Sequence, residues 1–143
     1  MKDLWPESLT DVSDLRAPVT VLREQASLLG QKTRNLLTGE VARPKVPTDK
    51  FVYQFIIHSR TIEYSYHLLT ITNDMNLYPV TITVSEETRK HVLSEIGNPL
   101  VDDPPRGLIA GDEEEFLNIL EQVLGAPQTV KVVKSILAQI KRP

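Results

Sequence analysis

An α+β domain is the fold that this sequence predicts, and three observations support it. A helix-like apolar pattern comes before residue 39, three segments with alternating side chains lie between residues 51 and 84, and helix-like patterns return after residue 85. Strands grouped in one part of a chain and helices in another favour an antiparallel sheet covered by helices on one face. The predicted order is therefore one helix, a three-stranded antiparallel meander and three C-terminal helices.

The chain is expected to begin with a polar N-terminal arm, residues 1–14, which leads into a single α+β domain of residues 15–143. Ser13 or Asp14 can cap a first helix of residues 15–38. Steps of four and three residues along this helix produce one apolar stripe that should face the core. The stripe consists of Leu15, Val19, Leu22, Ala26, Leu29, Thr33 and Leu36.

Three strands are predicted at residues 51–58, 62–72 and 77–84, because β-branched and aromatic side chains alternate there with polar ones. A register that brings the apolar faces together places Phe55 opposite Tyr66. The other sheet face is then polar, with Gln54, His58, Glu63, Ser65, His67, Thr81 and Thr83.

Three helices are predicted after the strands. Ser85 can cap a helix of residues 86–96, Asp112 can cap one that ends at residue 124, and a proline opens the last helix, residues 127–140. Residues 98–111 between the first two contain three prolines and two glycines and are expected to form a loop. The inner face of the last helix is predicted to include Val130 and Val133.

Several chemistries are excluded by residue types and spacing. The chain has no cysteine, which excludes disulfides, thiolate metal sites and a cysteine nucleophile. Its six glycines form neither a dinucleotide-binding nor a P-loop pattern. We therefore expect no cofactor. No signal-peptide or membrane-spanning pattern is visible, so a cytoplasmic protein without membrane association is expected.

The polar sheet face is the best candidate for a catalytic site. The predicted register places His58 opposite Glu63 and brings Gln54 close to His67. A histidine beside a carboxylate can act as a general base, but the same pair is also an ordinary cross-strand polar contact. Because no serine is placed in a turn typical of a nucleophile, the sequence favours a non-catalytic protein.

A metal site is considered on the helix of residues 86–96. Glu87, His91 and Glu95 are spaced by four residues and share one side of that helix, and their side chains are possible metal ligands. The apolar side chains lie on the opposite side, which is typical of a solvent-facing polar surface. No metal is therefore expected, and these three residues are only a weak candidate.

Arginines on the first helix suggest a charged surface. Arg16, Arg23 and Arg34 share one line along the predicted helix and could contact nucleic-acid phosphates or an acidic neighbour such as residues 112–115. The net charge of −3 argues against a phosphate-binding surface. Nucleic acid is therefore not the expected partner, and a nucleic-acid accessory protein remains an alternative.

Two apolar residues of the first helix lie outside its stripe and predict a second apolar neighbour. Val21 and Leu28 are seven residues apart and point to a different side from the stripe. The neighbour can be a protein partner, a second copy of the chain in a homodimer, or the C-terminal helices of the same chain. With the three arginines as a polar rim, this surface predicts a small acidic interaction protein, such as an immunity protein, an antitoxin or a subunit. An enzyme that uses His58, Glu63 and His67 is the main alternative.

Overall fold

The computed structural model describes residues 1–12, 15–97, 100–101 and 107–140. The predicted α+β fold is confirmed: a helix comes first, an antiparallel sheet follows, and helices dominate the C-terminal part. In chain order the elements are α1 (Pro18–Lys32), β1 (Thr38–Ala42), β2 (Phe51–Ser59), β3 (Tyr64–Asn73), β4 (Val80–Thr83), α2 (Glu86–Ile96), β5 (Leu100–Val101), β6 (Leu108–Ala110), α3 (Glu113–Leu124) and α4 (Pro127–Ile140).

The sheet is larger than predicted. Among the described residues it has six strands in the order β1-β2-β3-β4-β6-β5, and every neighbouring pair is antiparallel. The prediction of three strands is therefore wrong. Two of the additional strands lie in the segment expected to be a loop and are only two and three residues long, too short to show alternation.

The third additional strand, β1, lies where the first helix was expected to continue. The helix ends at Lys32, and Thr33 is its C-cap residue. The following two residues, Arg34 and Asn35, have φ values of 52° and 64°. This left-handed backbone interrupts the helix and turns the chain into β1. The Thr33 side chain closes the helix end, because its hydroxyl donates to the Leu29 carbonyl at 2.9 Å and accepts from the Leu37 N–H at 3.1 Å.

The start of the first helix also differs from the prediction. Ala17 occupies the N-cap position of α1, without a side-chain capping bond, and Pro18 is the first helical residue. The predicted caps Ser13 and Asp14 lie outside the described residues. Leu15, predicted to begin the buried stripe, precedes the helix and is exposed.

A β-bulge changes the predicted register between β2 and β3. Phe55 pairs with Leu69 and not with Tyr66, because the turn of residues 60–63 shifts the register by two residues and the bulge between Phe55 and Ile56 shifts it by one more. The extra residue on β3 is Leu68, and both Leu68 and Leu69 are buried. A bulge allows two successive side chains to point to the same face, which strict alternation cannot predict.

The helices cover one face of the sheet and build a single core. On that face α1 packs against β1 and β2, α3 packs against β6, and α2 and α4 pack against α3. The sheet contributes Phe55, Ile57, Leu69, Ile71, Val80, Ile82, Leu108 and Ala110 to this core. The helices contribute Val21, Leu22, Ala26, Val92, Phe116, Ile119, Leu120, Val123 and Ile136.

The contact between α1 and β1 is close because Gly39 has no side chain. A Cβ atom on Gly39 would lie 2.6 Å from the Ala26 Cα and 2.7 Å from the Ala26 Cβ. Both atoms belong to a rigid part of the helix, so the helix can approach β1 this closely only over a glycine. This contact sets the distance between α1 and the sheet.

The first prediction concerns this contact. We expect Gly39→Ala to destabilise the protein by about 1–3 kcal/mol, because the new methyl group pushes α1 away from β1. Gly30→Ala is the matched control, since its Cβ would meet the Asn35 Oδ1 atom at 3.3 Å, on an exposed side chain that can move, and the Leu37 carbonyl oxygen at an ordinary contact distance of 3.9 Å. Urea unfolding of both variants measures the difference. Equal stability of Gly39→Ala and the natural protein would contradict the close contact.

The second prediction tests the observed register. Phe55 is 2% exposed, so Phe55→Ala is expected to cost about 3–5 kcal/mol of unfolding free energy. Tyr66, which pairs with Ile57, is only half-buried, and Tyr66→Ala should cost clearly less. The same urea unfolding experiment measures both costs. An equal loss for both variants would support the register predicted from the sequence instead.

Candidate functional site

The two residues expected to face a partner have different surroundings. Val21 is fully buried and belongs to the same core as Leu22 and Phe116. Its assignment to a partner surface is wrong, because the apolar neighbour that it requires is the core of its own chain. Leu28 is 49% exposed and remains available to a partner.

Leu28 lies at the rim of an open groove. The groove has a volume of about 870 Å³ and lies between α1 and α4, on the helix-covered side of the sheet. Phe55, Ile57 and Leu68 form its floor. Its walls consist of Gln25, Leu28, Leu29, Gln31, Lys32, Thr33, Leu124, Gly125, Thr129, Val130, Val133, Lys134 and Leu137.

The packing of the helices explains why this groove stays open. The first helix packs against β1 and β2, whereas α4 packs against α2 and α3. The groove floor is therefore flanked by α1 and α4, but neither helix lies across it. Because the bulge turns Leu68 towards the helices, it adds a third apolar side chain to this floor.

The sequence pattern predicts the groove residues only in part. It predicts that Val130 and Val133 lie on the inner face of the last helix, but in the structure they form a groove wall and Val130 is exposed. An amphipathic stripe shows that a helix face is apolar, and it does not show whether a second helix covers that face. Leu68 was missed as a groove residue because its position depends on the bulge.

The charged side chains of the groove are all basic. Lys32 on α1 and Lys134 on α4 line it, and its lining has no acidic side chain among the described residues. The remaining polar side chains are two glutamines and two threonines. An apolar ligand that carries negative charge at its periphery therefore matches this groove best.

The predicted arginine ridge does not exist, because α1 is shorter than the predicted helix. Arg16 precedes α1 and Arg34 follows it, so only Arg23 lies on the helix. The Arg16 guanidinium forms salt bridges with Glu24 and Glu113, the second at 3.6 Å. Glu113 belongs to the acidic segment that the sequence offered as an alternative neighbour of the arginines.

The backbone of Arg16 is held as well. The Tyr78 hydroxyl donates a hydrogen bond to the Arg16 carbonyl at 3.1 Å. Burial, together with the nearby Glu113 and Asp112 carboxylates, raises the pKa of Tyr78 to about 12, and the Arg16 guanidinium opposes this rise. The N-terminal arm is therefore fixed at its junction with α1.

The first histidine of the polar sheet face does not contact the predicted carboxylate. The observed register places His58 opposite Ser65, and the His58 Nδ1 atom lies 2.7 Å from the Ser65 hydroxyl. Glu63 lies in the turn before β3 with a φ of 49°. Gln54 pairs with Thr70 and not with His67. The predicted pairing of His58 with Glu63 is therefore wrong, because residues 60–63 form the turn between β2 and β3 and Glu63 is part of that turn.

His67 makes contacts within its own strand. Its Nε2 atom lies 2.8 Å from the Thr70 hydroxyl and 3.0 Å from the Leu69 carbonyl oxygen. Two acceptors at this distance favour the tautomer with the proton on Nε2. The catalytic arrangement considered for His58, Glu63 and His67 is thus not assembled.

The weak metal candidate on α2 is not assembled into a site. Glu87 and His91 line a small pocket of about 210 Å³ together with Lys131, and Glu95 does not. Within the ranges that the structure describes, no group of three possible ligands is arranged to hold a metal ion. No described helix has the length and apolar character needed to cross a membrane.

Comparisons with protein-family models, with curated proteins and with solved structures find no match for this chain. The groove and the surfaces around it are therefore the basis for inferring a function.

The third prediction concerns the hydrogen bond from Tyr78 to the Arg16 carbonyl. We expect Tyr78→Phe to reduce stability by about 0.5–1.5 kcal/mol at neutral pH. A raised pKa in the folded state means that this stabilisation is complete below the ordinary tyrosine pKa of 10.0. It is lost as the pH rises towards about 12.

Chemical unfolding of the natural protein and of Tyr78→Phe at neutral pH and between pH 10 and 12 measures this difference. Ultraviolet titration provides a second measurement, because the tyrosine that titrates near pH 12 should be missing from the variant. A stability difference that stays constant up to pH 12 would contradict the assigned environment of Tyr78.

Proposed function

We propose that this chain is a non-catalytic interaction protein that binds an acidic, amphipathic segment of a protein in the groove between α1 and α4. The observation that carries the proposal is the groove itself, with an apolar floor and exposed apolar side chains on both walls. Leu28 on one wall and Val130 on the other are both exposed.

The shape of the groove supports a macromolecular ligand. Pockets for small molecules usually enclose most of the ligand surface. Here the floor lies between two helices whose rims face solvent, which is the geometry that accepts an amphipathic helix or peptide. Phe55, Ile57 and Leu68 offer an apolar surface for the anchoring side chains of such a segment.

The charges support an acidic ligand. Lys32 and Lys134 lie on opposite walls, where carboxylates flanking the apolar side chains of a ligand can approach them. Charges at the rim of an interface mainly accelerate association and select the partner. We therefore expect binding to weaken as the salt concentration rises.

Neither alternative function has comparable support. The enzyme alternative relied on a histidine beside a carboxylate, and His58 and His67 contact the Ser65 and Thr70 hydroxyls instead of Glu63. A nucleic-acid accessory protein would require free arginines, and Arg16 is neutralised by two glutamates.

The fourth prediction tests the groove with a matched pair of variants. Leu28→Lys is expected to weaken binding of the partner at least about tenfold, because a charge enters the apolar rim. Leu117→Lys is the control, since Leu117 is 38% exposed on α3 and does not line the groove. Both residues are at the surface, so we expect each variant to change stability by less than about 0.5 kcal/mol.

The partner is identified by placing a photo-crosslinking amino acid at position 28 or, as a control, at position 117 in the producing cells. A protein crosslinked only from position 28 is then purified, and its dissociation constant is measured for the natural chain and both variants by calorimetry. A dissociation constant that Leu28→Lys leaves unchanged would contradict the proposed function.

A further inference from the structure

The N-terminal arm exposes apolar side chains that have no cover in the single chain. Trp5 is 72% exposed, and Leu4, Leu9 and Val12 are exposed as well. The arm, which was expected to be polar, is therefore partly apolar. Its described part contains one short 3-10 turn, Glu7–Thr10. Exposed apolar groups at this density on a folded protein usually mark a contact with another molecule.

The spacing of these side chains is that of an amphipathic helix. Trp5, Leu9 and Val12 are separated by four and three residues, which places them on one helical face. The acidic residues at positions 3, 7 and 11 are spaced by four residues, which places them on the opposite face of such a helix. The existing turn Glu7–Thr10 lies inside this segment and Pro6 is its N-cap residue, so docking requires the turn to extend to Val12 while Trp5 packs beside the start of the helix.

The chemistry of the arm complements that of the groove. Residues 1–14 contain four acidic and one basic side chain, and the groove lining has two lysines and no acidic side chain among the described residues. The large apolar side chains of the arm match the apolar floor and the exposed Leu28. We infer that the ligand of the groove is the N-terminal arm of a second copy of this chain, an inference that rests on the proposed function of the groove.

The arm does not occupy the groove of its own chain in this structure, since Trp5 is 72% exposed and Leu28 is 49% exposed. Arg16 is fixed by the Tyr78 hydroxyl and by Glu113. Val12 precedes Arg16 by four residues, which span at most about 14 Å. A backbone hydrogen bond from the Leu15 N–H to the Val12 carbonyl at 2.9 Å shortens that reach further.

Leu28 follows Pro18, the first residue of α1, by ten helical residues, a distance of about 15 Å along the helix axis. To reach it, the arm of the same chain would have to leave its observed position and fold back along α1, whereas the arm of a second copy has no such restriction.

Reciprocal exchange of arms gives a closed dimer. Each chain supplies one arm and one groove, so the two contacts are identical and related by a two-fold axis. Trp5 alone provides roughly 150–250 Å² of contact area, and two arms with Leu4, Leu9 and Val12 approach the size of a stable interface.

The fifth prediction uses Trp5, the only tryptophan of the chain. In the full-length protein its fluorescence emission should shift to shorter wavelength as the protein concentration rises, together with a doubling of mass in sedimentation. Leu28→Lys in the groove and Leu9→Asp in the arm should each raise the dimer dissociation constant at least about tenfold. Leu117→Lys should leave it unchanged.

Mixing the two defective variants provides the specific test of exchange. Leu9→Asp has an intact groove and Leu28→Lys has an intact arm, so the mixture should form a heterodimer although neither variant dimerises alone. Absence of this heterodimer, or a Trp5 emission that stays that of exposed indole at all concentrations, would overturn the inference. A shifted emission that does not depend on concentration would also overturn it, because the arm would then bind within its own chain.

These outcomes are separable from failure of the proposed function. If Trp5 remains exposed but a different protein crosslinks from position 28 and binds Leu28→Lys more weakly, the groove is a binding site and only its assigned ligand is wrong. If Leu28→Lys changes neither the dimer nor any crosslinked partner, both proposals fail.

Discussion

The bulge in β3 is the local feature on which the arrangement of the candidate site depends. Without an extra residue at Leu68, either the first or the second half of β3 would turn its apolar side chains away from the helices. With it, Tyr66 and Leu69 both face the helix-covered side and pair with Ile57 and Phe55. The same extra residue adds Leu68 to the groove floor. The turn of residues 60–63 has a separate effect: it places His58 opposite Ser65 and leaves Glu63 outside the strand pairing, which removes the predicted acid–base pair.

The position of α1 depends on contacts at its two ends. Near its C-terminal half, Gly39 allows β1 to approach Ala26 closely. At its N-terminal end, Arg16 is bound by Glu113 and by the Tyr78 hydroxyl. These contacts place the helix over β1 and β2, and α4 lies over the other helices, so the space between the two helices stays open. The groove is therefore a consequence of how the helices are anchored and not of missing apolar side chains.

The core and the proposed binding site share the groove floor but differ at the rims. Phe55 and Ile57 are nearly fully buried and contribute to the core, so their replacement would change folding and binding together. Leu28 and Val130 are exposed and contribute little to the core, which makes them the residues by which binding can be separated from folding. In the proposed contact, the basic side chains on the walls and the acidic side chains of the arm would add selectivity to an otherwise apolar interface.

Hydrophobic periodicity along the sequence determined the fold class, three strand positions and the ends of the last two helices, because each depends on local patterns and capping residues such as Asp112. Its side chain accepts from the Glu115 N–H at 2.9 Å, as the capping pattern predicts. The sequence also pointed to Leu28 as a residue in need of a neighbour. Only the tertiary structure decided that Val21 belongs to the core, that β1 and β6 join the sheet, and that Leu68, Val130 and Leu28 surround one groove. These features depend on pairing and packing between distant segments, and periodicity within a single segment contains no information about which other segment lies against it.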